Sequence, residues 1–311
     1  MQAHSPVQPA AQPTALPVAL LPELLLLLLL ATLWGASYTC IRVGVATIPP
    51  ITLIAARTLI AGSLLALWML VRGVPMPRSA QVWKRCAVQA LLNSVLPFTL
   101  IAWAEQFVQA GVATILNSVT PVFAFLASWL LVRQEAATWR KLLVVCMGLL
   151  GIALVVGPSA WSGVGDQLVP QLAIVLASAC YAAAALYGRN FKGLPPVVPA
   201  MGSMLLGAVV LVPLSLLVDR PWALQPSAQS LWALLVLAVF CTALAFAIYF
   251  RLVNTLGAVG TTAQAYLRVP IGVGLGVLFL GEQLQTTAWA GLVCVVLGVA
   301  AMVMPARGAK K

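Results

Sequence analysis

Ten apolar runs, each close to the roughly 20 residues a helix needs to cross a hydrocarbon core, dominate this chain. They fall at 22–42, 51–71, 82–103, 110–132, 138–157, 168–189, 196–218, 231–251, 258–280 and 286–304. Short connections separate them, punctuated by Pro49-Pro50, Pro75, Pro77, Gly157-Pro158 and Pro195-Pro196. Inside hydrocarbon a backbone must satisfy its own hydrogen bonds, so the runs are predicted to be helices. Only 7% of the 311 residues are charged and 62% are hydrophobic, whereas a soluble domain carries about 25% charged residues. So few charges cannot solvate a water-facing surface of this size. The expected fold is an all-α membrane protein with ten transmembrane helices and no soluble module.

The net charge of +11 raises nucleic acid as a partner, but the charges sit in small clusters between apolar runs. That is a topology signal, not a binding stripe, and no nucleic acid is expected. With the N-terminus inside, thirteen Lys and Arg fall on cytoplasmic segments and two, Arg42 and Arg220, on the outer side. Both termini are therefore predicted to be cytoplasmic. Residues 1–21, rich in Pro, Ala and Gln, read as a disordered tail, and 305–311 as a basic one. Leu24–Leu30 imitates a signal-peptide core, but no Lys or Arg precedes it, so it is read as the start of the first helix.

The two halves repeat one another. Trp139 to Gly148 recurs as Trp289 to Gly298, Pro121 as Pro270, and Glu135 as Glu282. A near-constant offset marks a duplication, placing the repeats at 22–157 and 168–304. Five crossings per half oblige the second half to enter from the opposite side, so the repeats are inverted, as in many secondary transporters.

The sequence then carries a series of short motifs. The first half has Trp34-Gly35-Ala36-Ser37, Ile48-Pro49-Pro50, Arg57, Leu96-Pro97-Phe98, Ala102-Trp103-Ala104-Glu105-Gln106, Ala110-Gly111-Val112-Ala113, Leu116-Asn117 and Thr120-Pro121. The second has Tyr249-Phe250-Arg251, Leu256-Gly257-Ala258, Tyr266-Leu267 and Gly276-Val277-Leu278-Phe279-Leu280-Gly281-Glu282. In order and spacing this resembles the drug/metabolite transporter superfamily, in its EamA branch. The resemblance implies a ten-helix exporter of small metabolites in a bacterial inner membrane. The chain departs from the family's pattern at Arg268-Val269-Pro270, which shifts a proline and adds a charge, and at Arg133-Gln134-Glu135, where Gly-Glu is usual.

Catalysis has little material. The single histidine, His4, lies in the tail, and no HExxH, paired-Asp or phosphate-loop motif is present. The six cysteines are dispersed through apolar runs, without metal spacing. The chain is read as a non-enzyme with no cofactor and no metal.

Transport has more. Arg268 falls about ten residues into helix nine, roughly 15 Å deep. A charge there costs at least about 2.5 kcal/mol, so it must face a cavity, a partner or the bundle interior. It is either a substrate contact or a structural clamp. Gln264 lies one turn earlier on the same face. Asn117 holds the corresponding region of the first repeat. Pro121 and Pro270 each free a carbonyl four residues back, and Pro97 kinks helix three beside Asn93. Trp34, Tyr38 and Tyr181 are aromatic and either line a cavity or pack. These seven polar and aromatic residues (Arg268, Gln264, Asn117, Tyr38, Trp34, Asn93 and Tyr181) are the candidate substrate site. Arg57 either snorkels or gates the outer mouth, and Glu105 is expected to pair with Arg57 or Arg42 rather than to couple protons.

No carboxylate is expected at mid-membrane, which favours neutral, zwitterionic or anionic metabolites such as amino acids over lipophilic cations. Drug-like or toxic compounds stand as the alternative substrates. A membrane enzyme and a non-transporting scaffold are the competing classes. The expected partners are a small-molecule substrate, the lipid bilayer and, as a candidate coupling ion, the proton. The sequence leaves the oligomeric state open.

Overall fold

A computed structural model describes residues 20–127, 146–147, 149–155, 165–256, 261 and 264–303, and every regular element among them is helical. In chain order these are α1 (Leu20–Gly44), α2 (Pro50–Val71), α3 (Ala80–Ala104), α4 (Ala110–Asn117), α5 (Thr120–Ala127), α6 (Gly165–Tyr187), α7 (Val197–Val218), α8 (Ala228–Thr255), α9 (Gln264–Leu280) and α10 (Thr286–Val303). Seven spans among the described residues are long and apolar enough to cross a membrane, with α4 and α5 counting as one. The predicted fifth helix lies partly outside the described residues, as do Glu135, residues 1–19 and residues 305–311, while Leu20 and Leu21, read as the end of the first tail, open α1.

Local chemistry sets the helix ends. Glu23 stands in the first turn of α1 and Arg42 in the last, each opposing the helix dipole. Pro50 opens α2, where its missing N–H would be unpaired in any residue. The described part of the predicted helix 110–132 is in two pieces, Ala110–Asn117 and Thr120–Ala127. Ser118 Oγ donates back to the Ile115 carbonyl, and Thr120 Oγ1 donates to the Asn117 carbonyl at 2.8 Å. The carbonyl that Pro121 cannot serve is thereby satisfied, and the chain turns between α4 and α5. Two wide π turns interrupt α3 at Leu91–Val95 and α8 at Val239–Leu244. They stand in the same spacing as the sequence repeat.

The helix neighbours follow a two-fold pattern. α2 packs on α7, α1 on α9 and α8, and α6 on α4, α5 and α3. Exchanging α1 with α6, α2 with α7, α3 with α8, and the α4–α5 pair with α9 returns the same set of neighbours. The close approaches rest on glycine. A Cβ on Gly35 of α1 would stand 3.1 Å from the Arg268 carbonyl oxygen and the Gly272 nitrogen of α9. One on Gly62 of α2 would stand 3.0 Å from the Leu205 nitrogen of α7. Small residues at such crossings let backbones meet, which is how helices associate where burial from water contributes nothing.

Cross-links define two ends. At the near end, where α1 begins, Arg251 pairs with Glu23 at 3.1 Å and Arg85 donates to the Asn190 carbonyl at 2.8 Å. At the far end, Thr52 of α2 donates through its N–H and hydroxyl to Asp219 after α7, at 2.9 and 2.8 Å. Since α1 starts at the near end and α6 finishes there, the two run in opposite senses.

Candidate functional site

A cavity of about 620 Å³ lies between the helices. Its lining reaches the near end through Gly188, Phe191 and Pro196 of the α6–α7 connection, and extends no further than Ile41 on α1 and Ile101 on α3 toward the far end. Trp34, Tyr38, Asn93, Asn117, Tyr181, Gln264 and Arg268 all border it, as do Arg57 and Pro121. Pro97 is buried in α3 and Pro270 is exposed on α9; neither borders the cavity.

Arg57 is buried, 5% exposed, with Nε donating to Thr242 Oγ1 at 3.0 Å and its guanidinium carbon 3.8 Å from the centre of the Phe98 ring. Thr242 sits in the π turn of α8 and donates in turn to the Leu237 carbonyl, five residues back, at 2.7 Å. The wide turn thus orients the hydroxyl that holds Arg57. One edge of the guanidinium is fixed by a hydrogen bond and one face by a ring, which sets the orientation of the rest of the group. Arg57 does not bond Glu105, whose carboxylate oxygens have no hydrogen-bond partner.

On α9, Arg268 and Gln264 are one turn apart, and buried Arg268 Nε and Gln264 Oε1 both lack a protein partner, as does Oε1 of Gln89. A buried donor and buried acceptors left open are costly unless something else engages them. A polar chain crosses three helices: Ser178 Oγ of α6 donates to Asn117 Oδ1 at 2.9 Å, and Asn117 Nδ2 of α4 donates to the Tyr38 hydroxyl of α1. Asn117→Ala severs this chain and is expected to lower stability by about 1–3 kcal/mol, read as a lower melting temperature in detergent.

Aromatic rings close one side. Trp34 meets Phe246 and Tyr249 with ring centres 6.0 and 5.6 Å apart, and Phe246 stacks on Phe250 at 5.9 Å. Phe98, Tyr249 and Phe250 stood in the sequence only as parts of motifs, with no site role, and Thr242, Ser178 and Phe246 were not singled out. Thr242 and Ser178 each carried one signal, as a hydroxyl in a long apolar run. No Asp or Glu borders the cavity among the described residues. No group of three or more His, Cys, Asp or Glu there could hold a metal.

The far end is sealed beyond Ile41 and Ile101. Arg42 donates to the Glu105 backbone carbonyl. Glu282, after α9, accepts from the Ala110 and Gly111 N–H groups of α4 at 2.6 and 2.8 Å. Its carboxylate caps the helix and opposes the dipole. Glu105 lies just past the end of α3 and is fully buried. Burial first, and the charge of Glu282 second, push its carboxyl well above the usual carboxylate range, against the pull of Arg42 and Arg57.

Comparison with known proteins places these features. The profile of the EamA-like transporter family matches twice, over residues 21–157 and 169–304. An uncharacterized inner membrane transporter of Escherichia coli K12, YedA, is 26% identical over 271 residues, covering 87% of each chain. An uncharacterized transporter of Bacillus subtilis, YoaV, is 22% identical over 86% of this chain and 91% of its own. A solved crystal structure shares the fold, with a TM-score of 0.64 at 18% identity, covering 93% of this chain and 99% of the other.

Proposed function

Because the chain belongs to the EamA-like transporter family, we propose that it exports small zwitterionic or anionic metabolites, amino acids among them, across the inner membrane by alternating access. It is an integral membrane transporter. The ten helices form two inverted repeats of five, with both termini in the cytoplasm. The cavity is the substrate site, and the near end is the cytoplasmic mouth.

One observation carries the substrate class. Two guanidinium groups, Arg57 and Arg268, border a cavity that no described carboxylate enters. A cationic solute would meet like charge at low dielectric, whereas a carboxylate or phosphate would find two donors in place. The unpartnered Oε1 of Gln264 and Gln89 would accept from an ammonium or hydroxyl on the same solute. Drug-like compounds remain the second reading, on the strength of the Trp34, Phe246, Tyr249 and Phe250 wall. Such compounds would be neutral or anionic.

The test is counterflow in proteoliposomes with a panel of labelled amino acids, organic anions and organic cations. Arg268→Gln is expected to reduce exchange of anionic and zwitterionic solutes by about ten-fold or more, the worth of a hydrogen bond to a charged group. Unchanged exchange of every such solute would sink the assignment.

A further inference from the structure

The least satisfied group in the described structure lies outside the cavity. Glu105 is 0% exposed, and neither carboxylate oxygen has a hydrogen-bond partner. An ionised carboxylate cannot rest there unpaired, because its desolvation would not be offset. The charged groups around it do not meet that need. Arg42, on α1, spends its contact on the Glu105 backbone carbonyl. Arg57, on α2, is turned to Thr242 and Phe98. Glu282 is itself acidic and is committed to the start of α4. Cys40, the remaining titratable neighbour, supplies no positive charge.

We propose that Glu105 is a proton-binding site built into the far-end seal. The seal forms with the carboxyl protonated, the proton being taken from water at that end. Opening that end hydrates the carboxylate and returns the proton to the same water. No electron moves and no other bond is made or broken. The sealed state holds one more proton than the open one, so acid at the far end favours closure and alkali favours opening. The stabilisation is complete below the ordinary carboxylate range and is lost as pH rises through the elevated value of the sealed state. The site differs from the cavity in its ligand, a proton in place of a solute, and in its position beyond Ile101. Its meaning for export rests on the transporter reading, but its existence does not.

The test therefore uses no substrate. Infrared spectroscopy of the full chain in liposomes at neutral pH should show the C=O stretch of a protonated carboxylic acid. The band should vanish in Glu105→Gln and persist in Glu23→Gln. Hydrogen exchange of the segment around 105–111, corrected for the intrinsic effect of pH, should accelerate as pH rises in the parent protein and lose that dependence in Glu105→Gln. If the amide variant does not fold, Glu105→Asp keeps an acid and moves the band. A sealed state in which Glu105 is instead an ion pair with Arg42 gives no band at neutral pH, and that result overturns the proposal. So does a band that survives Glu105→Gln, or exchange indifferent to pH in the parent. Counterflow can fail for every solute tried while these readouts hold, so the two readings fall separately.

Discussion

Arg57→Met is expected to weaken binding of an anionic solute by about 30-fold or more, with little change for a neutral one. The reasoning starts from the side chain's surroundings. The guanidinium is 5% exposed, tied to Thr242 and laid on Phe98. It has already been desolvated, and its orientation is already fixed, so a carboxylate arriving in the cavity loses water on one side of the pair only. Removing one member of such a buried charged pair costs about 2–5 kcal/mol. Methionine keeps most of the volume and still packs on Phe98, so the variant tests charge and donors and not shape. Arg57→Lys makes the complementary point. A lysine keeps the charge but lacks the planar fork that Thr242 and Phe98 align. It is expected to recover only part of the affinity. Binding can be followed by the rise in melting temperature with solute, which needs no transport. Equal binding of anions by the parent and Arg57→Met would remove Arg57 from the site.

The largest structural effect is expected from Gly35→Val. The first new atom would press on backbone atoms of Arg268 and Gly272, which cannot rotate away, and a branched side chain adds two more carbons at the same crossing. Overpacking of this kind costs about 1–3 kcal/mol where neighbours can adjust, and here they are main chain. The α1–α9 contact should be forced apart, and Arg268 displaced with it. The yield of monodisperse protein in mild detergent should fall steeply, and any protein recovered should melt well below the parent. Gly274→Val, on the partner helix α9, is the control, because a Cβ there meets nothing within 4 Å. The control is expected to match the parent in yield and melting, and equal losses in the two variants would mean that the close crossing at Gly35 is not responsible.

Much of the membrane architecture was legible because it follows from one-dimensional rules. The run 51–71 became α2 at Pro50–Val71, since a proline pair opens it and hydrophobicity carries it through. Gln264 and Arg268 could be placed on one face because four residues make about one turn. What lay beyond reach was azimuth and partnership. Arg57 could be given a depth but not a direction, and its fate as snorkel, gate or cavity residue turned on Thr242, 185 positions away. Arg42 does reach Glu105, as one expected pairing had it, but through the backbone carbonyl, a contact that no side-chain pattern announces. The break between α4 and α5 was half visible. Pro121 signalled a disturbance, but its position depended on Ser118 and Thr120 folding their hydroxyls back onto the chain. The π turns were not legible, because polar residues inside an apolar run, here Asn93, Ser94 and Thr242, do not by themselves mark where a helix widens.

Those two turns also carry a chronology. A π turn is one residue more than its helix needs, the trace of a single-residue insertion. Both halves carry it at matched places, so under the duplication proposed above the insertion came first and was copied along with the gene segment. Arg57 and Arg268 have no cationic counterparts in the opposite half, so they were gained by one copy or lost by the other afterwards. On the same premise, the ancestor already carried the wide turn that now holds Asn93 in one half and Thr242 in the other. On that history, the two charges bordering the cavity belong to the divergence that followed the duplication.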